Sequence, residues 1–288
     1  MTVYLKTHVL PQGRGDCIVL ELPYDDGRQH LGFIDCYQFE ILDEYLKVND
    51  LDDPDDIDFI VVTHPHWDHI GGILPLMEMY KDRIDNYWES GFKPGRSVAL
   101  THSSIIKLVE NTPTIKFDLP RAGDSFQFGS LDIHVLSPPD PLISSTSSDI
   151  NNSSIVLRMT YGTATLLFAG DAQFGNWAHS FVSHQDHLSG RILKVSHHGS
   201  KHGTFLEALE KISPKIAVIS GSNDIDDEAG EFPHVITMNA INALPVEHVL
   251  CTNQHGYITI RSTANSWHWI SHGQDPDLEI RSMQEYRA

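Results

Sequence analysis

The stretch Val61–Gly72, VVTHPHWDHIGG, places His64, His66, Asp68 and His69 within six consecutive positions. Neutral imidazole nitrogen and carboxylate oxygen are ligands that zinc, iron and manganese all accept. His64 and His66 lie two apart, so on an extended continuation of the preceding strand they point the same way and can share one ion. Asp68 and His69 are adjacent at a predicted helix start, which turns them toward a neighbouring position. One turn can thus supply two metals. Gly71 and Gly72 behind it permit close packing of that helix start. Two later stretches repeat the placement of such residues directly after an apolar run: LLFAGD, ending on Asp171, and LKVSHHGS, carrying His197 and His198. On a regular strand adjacent side chains diverge, so one of the two would face a substrate while the other binds metal; in a loop both could bind.

The elements that must position these residues are legible as two blocks. The first opens with strand-like runs VYLKTHVL, CIVLELP and HLGFIDCY separated by turns, a predicted meander. A helix is predicted over FEILDEYLKV, then a fully buried strand FIVVT leading into the histidine turn, then a helix through HIGGILPLMEMYKDRI. The second block follows a helix at SSIIKLVENT and short strands in DSFQFGSLDIHVLSPP. The polar segment DPLISSTSSDINNSS is read as a loop inside one domain, because the strands SIVLRMTYG and TATLLFAGD resume at once. Strands RILKV, PKIAVIS, HVLCTN and GYITIR alternate with helices TFLEALEKI and HVITMNAINAL. Two such blocks predict two sheets packed face to face with helices outside, and chemistry where the strand ends meet. We expect one domain over residues 1–271 and a polar, loosely held tail over 272–288.

The chain has 288 residues and a formal net charge of −19, with ordinary apolar and charged shares. That charge opposes broad, non-specific attraction to nucleic acid or an anionic membrane, which Lys and Arg drive. A polyanion would have to be drawn in locally, as bound divalent cations can do. Three dispersed cysteines, Cys17, Cys36 and Cys251, suggest buried free thiols rather than a disulfide framework. The N-terminus lacks the pattern of a secretory signal and no segment is apolar for the length of a membrane span, so a cytoplasmic location is expected.

The motif THPHWDHIGG resembles the signature of the metallo-β-lactamase superfamily. GRGDCIVLELP, FIDCY, AGDSFQFGSLDIHVLSPP, NNSSIVLRMTYGTATLLFAGD, LKVSHHGS and CTNQHGYITI extend the resemblance to the hydrolase domain of the DNA-uptake competence proteins, from about residue 8 to about residue 270. It implies an α/β fold, a four-layer αββα sandwich, in a free-standing soluble relative without the accompanying membrane channel. It also implies a hydrolase with two divalent metal ions, zinc or manganese, and a phosphodiester substrate, nucleotide or nucleic acid. A lactone, thioester or β-lactam substrate on the same site, or a non-catalytic metal-binding subunit of a larger assembly, are the alternatives. A protein partner or homo-oligomer is left open, and no membrane contact is expected.

Carried over residue by residue, the resemblance makes His64 and His66 ligands of the first ion and Asp68 and His69 ligands of the second. Asp171 matches the bridging carboxylate, and a histidine followed by glycine favours His198 as the terminal ligand. Where many members have a further histidine, this chain has DINNSS. Asn152, or less favourably Asn151, takes that neighbourhood, and its weaker oxygen donor leans toward manganese. Asp16 and Asp35 match positions that orient ligand histidines through their other ring nitrogen. The implied mechanism is attack by a metal-held hydroxide, with Asp68 orienting the water or passing its proton, Asp171 holding both ions and His197 meeting the substrate. Apart from the resemblance, Ser200, His202, His234 and His255 lie near ends of predicted strands or helices and are candidates for contacting substrate, each of them weighing more toward an inert residue than a contact.

Overall fold

The computed structural model describes residues 2–144, 149–221, 232–272 and 286–287. The chain lays down β1 (Leu5–Val9), β2 (Cys17–Glu21), β3 (His30–Cys36), β4 (Asp56–Val62), β5 (Asn86–Glu89) and β6 (Lys116–Asp118) before it leaves the first sheet. It then builds the second from β7 (Ser125–Phe128), β8 (Leu131–Ser137), β9 (Val156–Tyr161), β10 (Ala164–Phe168), β11 (Ile192–Lys194), β12 (Ile216–Ile219) and β13 (His248–Cys251). β14 (Tyr257–Ser262), β15 (Ser266–His272) and β16 (Tyr286–Arg287) return to the first. The first sheet has the order β16-β15-β14-β1-β2-β3-β4-β5-β6 and the second β13-β12-β11-β10-β9-β8-β7.

The predicted meander is present: β1, β2 and β3 pair antiparallel. From β3 to β6 pairing is parallel. The helix Phe39–Val48 connects β3 to β4 and turns Leu42, Tyr45 and Leu46 inward, at the spacing that puts them on one face. Glu40 in its first turn and Lys47 in its last suit the helix dipole. The helices Ile73–Tyr80 and Ala99–Asn111 cover the same face of the sheet.

The central core lies between the sheets, where Ile18, Ile34, Phe59, Val61 and Trp88 meet Ile133, Leu157, Met159, Leu166 and Val218. Phe59 and Trp88 stack with centroids 5.4 Å apart. β4 is buried on both faces, since Ile57, Ile60 and Val62 pack outward against Leu46, Ile73 and Met77; this is why its sequence is an unbroken apolar run. On the far side, Leu167, Leu193 and Ile219 pack under Trp177, Leu209 and Ile241 of the helices Phe174–Ser183, Leu206–Ile212 and Val235–Asn242. The result is helix, sheet, sheet, helix, as the two blocks imply.

Within the polar segment expected to be a loop, a short helix at Asp140–Ser144 and a 3-10 turn at Ile150–Ser153 are formed, while residues 145–148 lie outside the described set. Of the tail expected from residue 272, His272 closes β15, residues 286–287 pair beside it, and 273–285 lie outside the described residues. All three cysteines are buried and free. Among the described residues no helix is long and apolar enough to cross a membrane.

Candidate metal centre

Four chain segments end at one edge of the sandwich. β4 runs out at Val62 into Thr63, His64 and the short helix Trp67–Ile70. β10 runs out at Phe168 into Ala169, Gly170 and Asp171. β11 leads into the tight turn Ser196–Gly199, and Asp35 sits near the end of β3. β4 lies in the parallel half of its sheet and β10 and β11 pair parallel, so these are carboxyl ends, where open α/β sheets place their ligands.

Two glycines make the convergence possible. Gly72 packs so tightly that a Cβ there would stand 2.6 Å from Cys36 Sγ and 2.8 Å from Phe39 N. Gly170 has φ +48°, in the left-handed region, and a Cβ would stand 2.9 Å from Thr63 Cβ. That contact lets the Asp171 turn of one sheet press against the histidine turn of the other. The amide of Ile155 donates to Thr63 O at 2.9 Å across the same seam.

Asp171 stands in the middle. Its Oδ2 faces His64 Nε2 at 3.7 Å and His197 Nε2 at 3.6 Å. Its Oδ1 faces His69 Nε2 at 3.3 Å and His198 Nε2 at 3.4 Å. Asp68 Oδ2 is 3.6 Å from His198 Nε2. Two donor sets result: His64, His66 and Asp171, and Asp68, His69, Asp171 and His198, each with one donor atom per residue and all within 4.8 Å of one another. Asp171 belongs to both.

His197 and His198 both turn toward Asp171 because both have left-handed backbones, φ 50° and 53°. The alternation of a strand is broken there, and neighbouring rings converge. Asp35 is left-handed too, φ 57°. Such conformations cost of order 1–3 kcal/mol each and gather at functional sites.

The buried polar atoms fit an ion. His69 Nε2, Asp171 Oδ1 and His198 Nε2 are buried without a hydrogen-bond partner. Native interiors leave few such atoms unpaired, and here they point at one another. Nitrogen and carboxylate donors of this kind suit a borderline divalent cation. The residues therefore fit the group.

The outer contacts set ring orientation. His69 Nδ1 meets Asp35 Oδ2 at 2.8 Å. Thr63 holds that carboxylate, donating its N–H to Oδ1 and its hydroxyl to Oδ2, each at 2.7 Å. Asp16 Oδ1 faces His198 Nδ1 at 3.6 Å, and Lys194 Nζ donates to Asp16 Oδ2 at 2.8 Å. Both aspartates thus lie behind histidines of the second set. Lys194 was not anticipated: it sits in the apolar run ILKV, and its charge, in a strand whose neighbours are buried, was the available signal.

The asparagines differ in placement. Both have an Oδ1 that is buried and unpaired, but Asn152 Oδ1 lies against Gly175, 2.8 Å from where a Cβ would be, and Asn151 is the more deeply buried residue. Of the other candidates for contacting substrate, His234 caps its own helix by accepting from Ile236 N, and His255 Nδ1 is held by Cys251. Ser200 is buried and accepts from His202 N.

Burial pushes the His64 imidazole well below its ordinary range, and His66 and His197 down as well. For His69 burial also acts downward, but Asp171, Asp35 and Asp68 outweigh it and hold the imidazolium well above the usual range. For Asp171 burial acts upward, and His69 and His198 outweigh it, holding the carboxyl well below the usual range. At neutral pH His69 is therefore protonated in the metal-free protein and must lose its proton to bind an ion. We expect filling of the second set to release about one proton per ion at pH 7, so that affinity rises with pH until the raised His69 value is passed. Titration of the metal-free protein with zinc in weak buffer and an indicator measures this; no release would contradict it.

The model of the metallo-beta-lactamase superfamily matches residues 43–222. The chain is 28% identical over 210 residues to ComE operon protein 3 of Bacillus subtilis, covering 71% of this chain and 24% of that protein. It is 26% identical over 183 residues to Recombination protein 2 of Haemophilus influenzae, covering 64% and 20%. The chain thus spans about a quarter or less of the length of these curated relatives. Among solved structures it superposes on the metallo-beta-lactamase fold protein YhfI of Bacillus subtilis with a TM-score of 0.53 at 13% identity, covering 86% of this chain and 96% of that one.

Proposed function

The chain belongs to the metallo-β-lactamase superfamily of metal-dependent hydrolases, and from that premise we propose that it is a two-ion phosphodiesterase acting on nucleotides or on short nucleic acid strands. The observation that carries the reading is the division of labour at Asp171, one oxygen turned to His64 and His197, the other to His69 and His198. A single carboxylate shared by two donor sets would let this chain hold two cations side by side, which is what two-metal hydrolysis of a phosphodiester calls for.

Divalent ions there would supply Lewis acidity and lower the pKa of a water to about 7. His64, His66 and Asp171 would hold the first ion; Asp68, His69, Asp171 and His198 would hold the second. Asp68 is the carboxylate of the group that reaches solvent, its side chain 36% exposed, so it can hand a proton outward. To His197 we assign a hydrogen bond to a phosphoryl oxygen or the leaving alkoxide, a role supported by its partial exposure, 21%, at the edge of the group.

The substrate class rests on two supports. One similar protein is by name a recombination protein, and the motifs NNSSIVLRMTYGTATLLFAGD and LKVSHHGS resemble those of the DNA-uptake hydrolase domain, which supports a nucleic-acid or nucleotide substrate. The net charge of −19 disfavours a long duplex laid along a broad groove, since phosphate contacts need cations. A short or unpaired strand brought in by the ions fits better. We expect manganese- or zinc-dependent hydrolysis of bis(p-nitrophenyl) phosphate and of single-stranded oligonucleotides, with double-stranded DNA cut more slowly. Hydrolysis of lactone or thioester substrates alone would replace the phosphodiester reading, and no turnover of any of them would favour a non-catalytic metal-binding role.

A further inference from the structure

The two histidines that meet Asp171 Oδ1 are each backed by an aspartate, but the aspartates are anchored by different means. Asp35 is held by the neutral donors of Thr63, within the first sheet. Asp16 is held by a cation from the second sheet: Lys194, in β11, donates to Asp16 Oδ2 at 2.8 Å, and both side chains are 2% exposed. The Asp16 backbone is pinned as well, its N–H donating to Asp68 O at 3.0 Å and its carbonyl accepting from Tyr37 N at 3.1 Å. What remains free is Oδ1, buried, without a hydrogen-bond partner and 3.6 Å from the equally unpaired Nδ1 of His198.

We propose that Lys194 is a positioning residue for the second metal: its ammonium, reaching across the seam between the sheets, holds Asp16 so that Oδ1 orients His198 for ligation. The inference rests on the metal-dependent reading above. With Nε2 of His198 turned to the ion, Nδ1 carries the hydrogen, and Asp16 Oδ1 is the acceptor that selects this tautomer and ring angle. Lys194 serves here as a fixed point charge, and it keeps the carboxylate from swinging onto the cation itself. Because Asp16 lies beside His198 and, together with Asp35, beside His69, the arm bears on the set of Asp68, His69, Asp171 and His198 and not on the set containing His64 and His66.

The test compares the wild-type chain with Lys194→Met and with the double variant Lys194→Met/Asp16→Leu. The double variant removes both charges, so that neither is left buried alone and folding is preserved if the single variant fails. Each protein is stripped of metal and titrated with Co²⁺, following the visible absorption of the bound ion, with circular dichroism as a check on folding. We expect two equivalents in the wild type. In both variants the first equivalent should keep its affinity while the second weakens about 10–100-fold, the range seen when an outer partner of a ligand is lost, with an altered spectrum for that ion alone. A folded double variant that takes up both ions with wild-type affinities and spectra would overturn the role of Lys194. A wild-type chain that binds no ion would instead overturn the metal-dependent reading, and does so before any variant is compared.

Discussion

Asp171→Ala should lose both ions at once. The carboxylate is 1% exposed and faces four imidazoles, two with each oxygen. Removing a ligand from one set weakens one ion; removing the residue common to both leaves neither with a full set. Stoichiometry by elemental analysis should fall from two to none, and hydrolysis should drop more than about 1,000-fold, well beyond the 10–100-fold typical of residues that only orient ligands. His66→Ala is the contrast, because His66 stands in one set only; it should lose the first ion and keep the second. The metal-free Asp171→Ala protein should still unfold cooperatively, since His69 retains its contact to Asp35. A folded Asp171→Ala chain that keeps two ions, or cleaves phosphodiesters at the wild-type rate, would end the two-ion account.

The second large effect separates support from chemistry at Asp35. This side chain is 1% exposed and accepts from the Thr63 amide, the Thr63 hydroxyl and His69. Asp35→Ala strands all three donors in the interior and leaves the His69 imidazolium without that carboxylate, which should cost roughly 3–5 kcal/mol, as breaking a buried pair does. Asp35→Asn behaves differently. Asparagine tolerates the left-handed backbone at φ 57° and can still accept from Thr63. Its amide, however, would donate to His69 Nδ1, forcing the hydrogen onto Nε2, the atom that faces Asp171. The Asn variant should therefore keep most of the stability lost by Ala while binding the second ion poorly. Urea unfolding of the metal-free proteins, with zinc titrations beside it, tests both halves. Equal destabilisation by Ala and Asn, or full metal affinity in Asn, would refute the assignment.

How much of this was legible in the residues depends on whether local signals sufficed. The helix at Phe39–Val48 carries its own periodicity, and β4 its own unbroken apolar run, so both could be read directly. The histidine turn was equally plain, because spacing and residue type coincide. The strands Asn86–Glu89 and Ser266–His272 were not read. The first is four residues long and the second mixes Trp267 and Trp269 with serines and histidines, so neither looks apolar enough in isolation; their pairing with β4 and β14 makes them strands. The choice between His197 and His198 could not be made from residues alone. It turns on two consecutive left-handed dihedrals, which put both rings on Asp171 instead of opposing them. Lys194 escaped notice for a related reason: its partner Asp16 is 178 positions away and belongs to the other sheet.

The pairing of β1 with β14 has a consequence for how the chain comes into being. His8 lies opposite Thr259 in that ladder, and their side chains meet at 2.9 Å across a separation of 251 residues. While the polypeptide is emerging from a ribosome, β1 can pair with β2 soon after both are out, but its other flank stays an open row of amides and carbonyls until β14, Tyr257–Ser262, has been translated. An exposed flank of this kind is a template for another chain. Truncated products that end before residue 257 should accumulate as aggregates or as clients of chaperones, even though every side chain of the metal centre has already been synthesised.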